Sequence, residues 1–365
     1  LDNQSSKLEI SVNDEIFISD DKQSIAKVVS GNKLNLSSDS KKLRLTIGKM
    51  EFVANIFYLM PYNETEIIKI DQKKYCGRIV ISIIDSEIKV VNQIGLEDYV
   101  KGVMTKEMPI GKGTENYDAL KAFSICIRTY AFNKINENKD FFDIYPDTRD
   151  QVYGGVDGET EYTNKIVDES KGQILFYENQ SAIIFYHSTC GGRTEDVANV
   201  FSKKNISYLS GIEDGDEPYC KISPRYEWTE KYSEVTFIDR LYKAKLIESQ
   251  NYKISDLKIK SRFNSGRVND FEITLDDLEG NQKTILLRGN KIRGIIRSGD
   301  GKSILKSTLF DVNTNDGNII ITGKGNGHGV GLCQWGAIGQ SKKGIDYKEI
   351  LNHYFPETII KSIYD

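Results

Sequence analysis

The clearest periodicity in the chain lies at Leu96–Pro109, LEDYVKGVMTKEMP. Apolar side chains at Leu96, Tyr99, Val100, Val103 and Met104 follow the three-and-four spacing of an amphipathic helix, and Glu97, Asp98, Lys101 and Lys106 take the wet face. Glu107 comes four residues after Val103, where the stripe calls for another apolar residue. Pro109 disfavours helical geometry at Met108, which predicts a helix over 95–108 with Glu107 in its last turn. Partial burial and the negative end of the helix dipole both disfavour the ionised carboxylate there. A carboxyl group that stays protonated near neutral pH can serve as a general acid. The same spacing also fits an exposed or salt-bridged glutamate.

Upstream, residues 1–92 read as short strands: Lys7–Val12, Leu43–Ile47, Phe52–Phe57, Glu66–Ile70 and Ile79–Ile84 alternate or are rich in Ile and Val. Downstream, Tyr117–Asn136 is a second helix, apolar on most sides, with Arg128 inside its apolar run. An arginine so placed needs a carboxylate, a phosphate or carbonyls, in a structural ion pair or a substrate contact. A short helix is expected over Glu159–Ser170. A strand over Ala182–Tyr186 then runs into the turn His187-Ser188-Thr189-Cys190-Gly191-Gly192. Residues 225–320 read as an α+β region. Its helices are Val235–Leu246 and the turn Lys291–Ile296, and its strands are Ile254–Lys260, Asp270–Leu275, Lys283–Leu287, Leu309–Val312 and Asn318–Thr322. A run with glycine at 323, 325, 327, 329, 331 and 336 follows, then helices over Gln334–Lys342 and Tyr347–Tyr354. So many glycines predict unusual backbone angles or close approach by a ligand. The pattern is thus α+β: a β-rich N-terminal platform (1–92), a candidate catalytic helix pair packed on mixed sheets (93–224), a smaller α+β subdomain (225–320), and a closing segment (321–365) that completes the core.

Composition narrows the function. A net charge of −4 without a long basic run argues against nucleic-acid binding. No apolar run is long enough to span a membrane. Leu1 in place of Met is expected of a processed form or a truncated chain, with an N-terminal signal or anchor missing from it. Five cysteines (76, 126, 190, 220, 333) and three histidines (187, 328, 353) are widely spaced, with no zinc ribbon and no HExxH pair. The glycine run lacks GxxxxGK[ST], and GxSxG is missing around Ser188. Two constellations remain: a lone acid, Glu107, among polar turns, and a Cys190–His328 pair of thiol-hydrolase type.

Five segments stand in one order: LEDYVKGVMTKEMP, ALKAFSICIRTYAF, DQVYGG, YHSTCGGRTEDV and GKGNGHGVGLCQWGA. With these the chain resembles the SpoIID/LytB family, the stage II sporulation protein D and amidase-enhancer group, from about residue 65 to the end. The resemblance implies a peptidoglycan lytic transglycosylase. It would cleave the β-1,4 bond between N-acetylmuramic acid and N-acetylglucosamine, leave 1,6-anhydro ends, and prefer strands freed of stem peptides. The implied setting is extracytoplasmic, in sporulation. The implied partners are glycan strands, a SpoIIP-type amidase and a SpoIIM-type membrane anchor. The family's catalytic glutamate falls on Glu107, and Arg128, Gln151, Tyr153, Tyr186, Ser188, His328 and Gln334 fall on positions expected to contact substrate. The glycine run is expected to wall the groove, with His328 and Gln334 as donors to sugar groups. Some members carry zinc on Cys and His just before the QVY motif. Here that stretch, DFFDIYPDTRDQVY, holds neither, and the remaining Cys and His residues are scattered in sequence, so no metal or other cofactor is expected. Cys190 and Cys220 are expected to pair if the protein matures outside the cytoplasm. The alternative within the resemblance is a non-catalytic, glycan-binding enhancer of a cell-wall amidase.

Overall fold

The computed structural model describes residues 1, 7–39, 41–63, 66–137, 141–201, 205–315 and 317–364. Asp140, at the head of the stretch before Gln151, lies outside them. Helices and strands combine in several sheets, so the chain is α+β. It divides into two compact units, one of residues 1–112, 123–183 and 360–365, the other of 113–122 and 184–359. No helix among the described residues is long and apolar enough to cross a membrane.

The first unit begins with two antiparallel sheets. One runs, in spatial order, Met50–Ala54, Leu43–Ile47, Lys33–Ser38, Lys7–Val12, Ile68–Ile70 and Lys73–Tyr75. The other runs Glu87–Gln93, Arg78–Ile84, Ile56–Pro61, Glu15–Ser19 and Ser24–Val29. Alternation decides their faces: Leu8, Ile10 and Val12 of one sheet and Ile16, Ile18, Phe57 and Leu59 of the other belong to one buried cluster. The expected strand Phe52–Phe57 is in fact two strands hinged at Asn55. Five strands of residues 1–92 were not expected (Glu15–Ser19, Ser24–Val29, Lys33–Ser38, Glu87–Gln93 and the three-residue Lys73–Tyr75). They carry charged or small residues on their outer faces, which dilutes the apolar signal.

Three helices follow: α1 (Leu96–Glu107), α2 (Tyr117–Glu137) and α3 (Glu161–Glu169). Val100, Val103 and Met104 of α1 are buried, as the stripe predicts. The backbone of α1 meets the 150–158 segment directly. The Gly154 N–H donates to the Gly102 carbonyl at 2.9 Å, and a Cβ on Gly102 would overlap the Tyr153 ring and lie 3.1 Å from the Gly155 carbonyl oxygen. Gly102→Ala is therefore expected to push Tyr153 and its turn away from α1 at a cost of about 1–3 kcal/mol, the range for overpacking. Denaturant unfolding checks it, and an unchanged midpoint would show that the helix and the turn are not tightly docked.

The second unit holds two three-stranded antiparallel sheets. Asn318–Lys324 lies between Glu227–Ser233 and Phe310–Asn315, and Val268–Asp277 lies between Tyr252–Arg262 and Gln282–Arg288. They share a core with the helix Glu234–Lys243 and the helical turn Lys291–Ile296, through Phe237, Leu241, Phe271, Ile292 and Phe310. The expected strand Ala182–Tyr186 is reduced to Tyr186–His187, which pairs in parallel with Leu332–Cys333.

Candidate functional site

Glu107 is the last residue of α1, and Met108 behind it is extended (φ −132°, ψ 136°), as Pro109 requires. The carboxyl is half-buried, and its Oε1 accepts the Val152 N–H at 2.6 Å. Desolvation raises its pKa above the ordinary glutamate value, and the Val152 amide opposes that rise. The amide is presented by the DQVYGG turn, which is itself tied down. Asp150 accepts from the Tyr130 hydroxyl (2.6 Å) and the Tyr145 N–H (2.9 Å), and it pairs with Lys134 (3.3 Å). Gln151 is wholly buried. Its Oε1 accepts from the Tyr99 hydroxyl at 3.0 Å, and its Nε2 has no acceptor among the described residues. Tyr153 stacks on Tyr99 (centroids 5.4 Å apart, planes at 20°) and donates to Asn92 Oδ1 at 2.8 Å.

Glu107, Gln151 and Tyr153 are thus brought together in the first unit, with Tyr99, Asn92 and the Val152 amide as additions. A cleft of about 1060 Å³ in this unit is lined by Asn92, Tyr99, Tyr145 and Tyr153 among others, and Glu107 is not part of its lining. Tyr99 reads in the sequence as one more apolar stripe residue, and only the fold reveals its hydroxyl at work. The Val152 amide has no side-chain signal at all.

Arg128 departs from its expected role. Its side chain is fully enclosed. Nε and Nη2 fork onto Glu97 (3.0 and 2.7 Å), while Nη1 and Nη2 reach the carbonyls of Gln173 and Val167 (3.1 and 3.3 Å). The guanidinium is committed to α1 and to the end of α3, so the structural ion pair replaces the substrate contact.

In the second unit the parallel pair Tyr186–His187 and Leu332–Cys333 gathers Tyr186, Ser188 and Gln334. The Trp335 N–H donates to the Ser188 carbonyl at 3.0 Å, and Gln334 is buried at the start of the helix Gln334–Lys342. Of the six glycines in the run, four take positive φ (Gly325, Gly327, Gly329 and Gly331), as expected. At Gly331 a Cβ would collide with the Phe185 carbonyl, so glycine is required on steric grounds as well. His328 packs edge-on against Phe201 and tilted against His187 (centroids 5.2 and 5.5 Å). Its Nδ1 accepts from the Val330 N–H at 3.1 Å, so that nitrogen is directed into the chain. Burial, with the Arg293 charge, moves its pKa down to about 3, and the ring is neutral.

The cysteines are not scattered in space. Cys190, Cys220 and Cys333 lie together with Asp214, all four fully buried. The Cys190 and Cys220 sulfurs are 3.4 Å apart, and all five cysteines are free thiols. Among the described residues no hydrogen bond joins Cys190 to His328, so the thiol-hydrolase pair is not assembled. Cys333 lies within the glycine run and Asp214 in the 210–218 loop, and nothing in their spacing announces the meeting.

Residues 84–177 match the SpoIID family, described as stage II sporulation protein, and residues 159–331 match a domain of unknown function, DUF8618. An uncharacterised protein of Brachyspira hyodysenteriae is 33% identical over 288 residues, covering 77% of this chain and 71% of that protein. The amidase enhancer of Bacillus subtilis is 29% identical, over 98% of this chain but only 52% of its own length. The stage II sporulation protein D of the same organism is 28% identical, over 74% of this chain and 75% of its own.

Proposed function

Since the chain belongs to the SpoIID family, we propose that it is a lytic transglycosylase of peptidoglycan in which Glu107 is the only acid and base. The observation that carries the reading is the Glu107 carboxyl itself, half-buried and raised by desolvation, with one backbone amide on Oε1. Hydrolytic glycosidases need two carboxyl groups. The neighbouring carboxylate, Asp150, is engaged by Tyr130, Tyr145 and Lys134. A single group suffices when the attacking oxygen is already on the sugar. Glu107 donates its proton to the glycosidic oxygen as the bond to the muramic acid anomeric carbon breaks. It then takes the proton of the same sugar's C6 hydroxyl, whose oxygen closes the 1,6-anhydro ring. No water is consumed. Gln151, wholly enclosed with its Oε1 on the Tyr99 hydroxyl, and Tyr153, stacked against Tyr75 and Tyr99, are assigned to holding the turn that presents the Val152 amide. In this reading a cell-wall amidase of the SpoIIP type supplies peptide-free strands during sporulation, and a SpoIIM-type protein anchors the assembly outside the cytoplasmic membrane.

Peptide-free glycan strands incubated with the protein should yield 1,6-anhydro-N-acetylmuramic ends by mass spectrometry. The similarity of nearly the whole chain to an amidase enhancer favours a second reading, a glycan-binding activator. Stimulation of an amidase with no anhydro ends from either intact or peptide-free strands would select it.

The pH dependence has a definite sign. A raised carboxyl pKa keeps Glu107 protonated above the ordinary value of 4.5, and its acid form is lost as pH climbs through the raised value. The basic limb of kcat/KM due to Glu107 is therefore expected above the range of an exposed glutamate. A limb at or below pH 4.5 would contradict the desolvated site.

A further inference from the structure

Cys190, Cys220, Cys333 and Asp214 come from three places in the sequence, and each offers a ligand atom within 4.8 Å of all the others. All four are fully buried. The geometry points to a structural zinc site in the second unit, with three thiolates and one carboxylate as a closed tetrahedral shell. It is independent of the activity proposed above.

Three observations carry it. First, the spacing fits: sulfurs bound about 2.3 Å from a tetrahedral zinc stand about 3.8 Å apart, and the Cys190 and Cys220 sulfurs are 3.4 Å apart without a bond between them. Second, backbone amides are aimed at the sulfurs. The Cys190 N–H (3.1 Å) and the Gly336 N–H (3.3 Å) donate to Cys333 Sγ, and the Gly192 N–H (3.5 Å) donates to Cys190 Sγ. Donors directed at sulfur stabilise thiolate, the form that binds metal. Third, the carboxylate is oriented. The Cys220 N–H donates to Asp214 Oδ2 at 2.8 Å and the Tyr354 hydroxyl to Oδ1 at 2.6 Å, which leaves lone pairs for a cation. Four acidic groups enclosed at this separation repel one another once ionised, and a divalent cation offsets that charge. Mixed sulfur and oxygen ligation in tetrahedral arrangement selects zinc over magnesium or calcium. Four protein ligands leave no open position, so the role is structural. The ion would tie the turn after Tyr186–His187 to the start of the helix Gln334–Lys342 and to the 210–223 segment.

The test uses the intact chain prepared reduced, with zinc in the medium. Elemental analysis should find about one zinc per chain, released on titration with a thiol-specific mercurial. Replacement by Co(II) should give sulfur-to-metal charge-transfer bands and the intense visible bands of a tetrahedral ion. Cys76→Ser with Cys126→Ser should keep both results. Asp214→Asn should alter the Co(II) spectrum, and Cys333→Ala should abolish it. Because Cys333→Ala can fail to fold, the wild type stripped by chelator and refilled with Co(II) is the deciding sample. Fully reduced protein that takes up neither ion stoichiometrically would overturn the site, as would a Cys190–Cys220 disulfide in the protein as exported.

Discussion

Glu107→Gln is expected to reduce formation of 1,6-anhydro ends from peptide-free glycan by at least about a hundredfold, the scale on which positioned acid–base catalysis contributes. The substitution keeps the shape of the side chain and leaves an amide oxygen to accept the Val152 N–H, so the turn stays docked. What disappears is the proton that moves to the leaving oxygen and the site that receives the next one. Circular dichroism and the unfolding midpoint should be those of the wild type, and glycan binding should persist. Undiminished turnover by this variant would remove Glu107 from the chemistry and with it the single-carboxyl mechanism. A loss of turnover accompanied by an equal loss of binding would assign Glu107 to substrate positioning instead.

The second large effect is on stability. Arg128→Ala is expected to cost about 3–5 kcal/mol, the range for breaking a buried ion pair by removing one partner. Glu97 would lose the guanidinium while keeping its bond from the Gly172 N–H (3.0 Å), and the carbonyls of Val167 and Gln173 would each lose a donor. Denaturant unfolding measures the cost. The double variant Arg128→Met with Glu97→Gln separates charge from packing. It fills much of the volume, keeps an acceptor for Gly172, and buries no lone charge, so it should be more stable than Arg128→Ala. If both variants unfold like the wild type, the pair is not the fastening that its geometry describes.

Much of this was legible in the sequence where a repeating pattern met a stop signal. The end of α1 follows from the stripe and from Pro109, and Glu107 stands out because it breaks that stripe. The helical segments Lys291–Ile296, Gln334–Lys342 and Tyr347–Tyr354 keep their expected bounds. Arg128 was visible as a buried charge, but its partner was not, because Glu97 reads as an ordinary wet-face residue thirty-one positions away. The Val152 amide was invisible because backbone donors carry no residue code. The thiol cluster was missed for a related reason. Metal-ligand reading relies on close spacing, and here the gaps between cysteines are spanned by the fold.

The bond from Val152 to Glu107 has a further consequence for the proposed cycle. A group that gives a proton in one half of a reaction and takes one back in the other works best when neither form is a deep well. Enclosure favours the acid, the amide at 2.6 Å favours its conjugate base, and the two act on the same oxygen pair in opposite directions. The QVYGG turn is thus a counterweight. By setting how near its amide comes to the carboxyl, the docking of Tyr153 and Gly154 against Gly102 would apportion the barrier between bond cleavage and ring closure. A shift of the turn by a few tenths of an ångström would slow one half-reaction and speed the other.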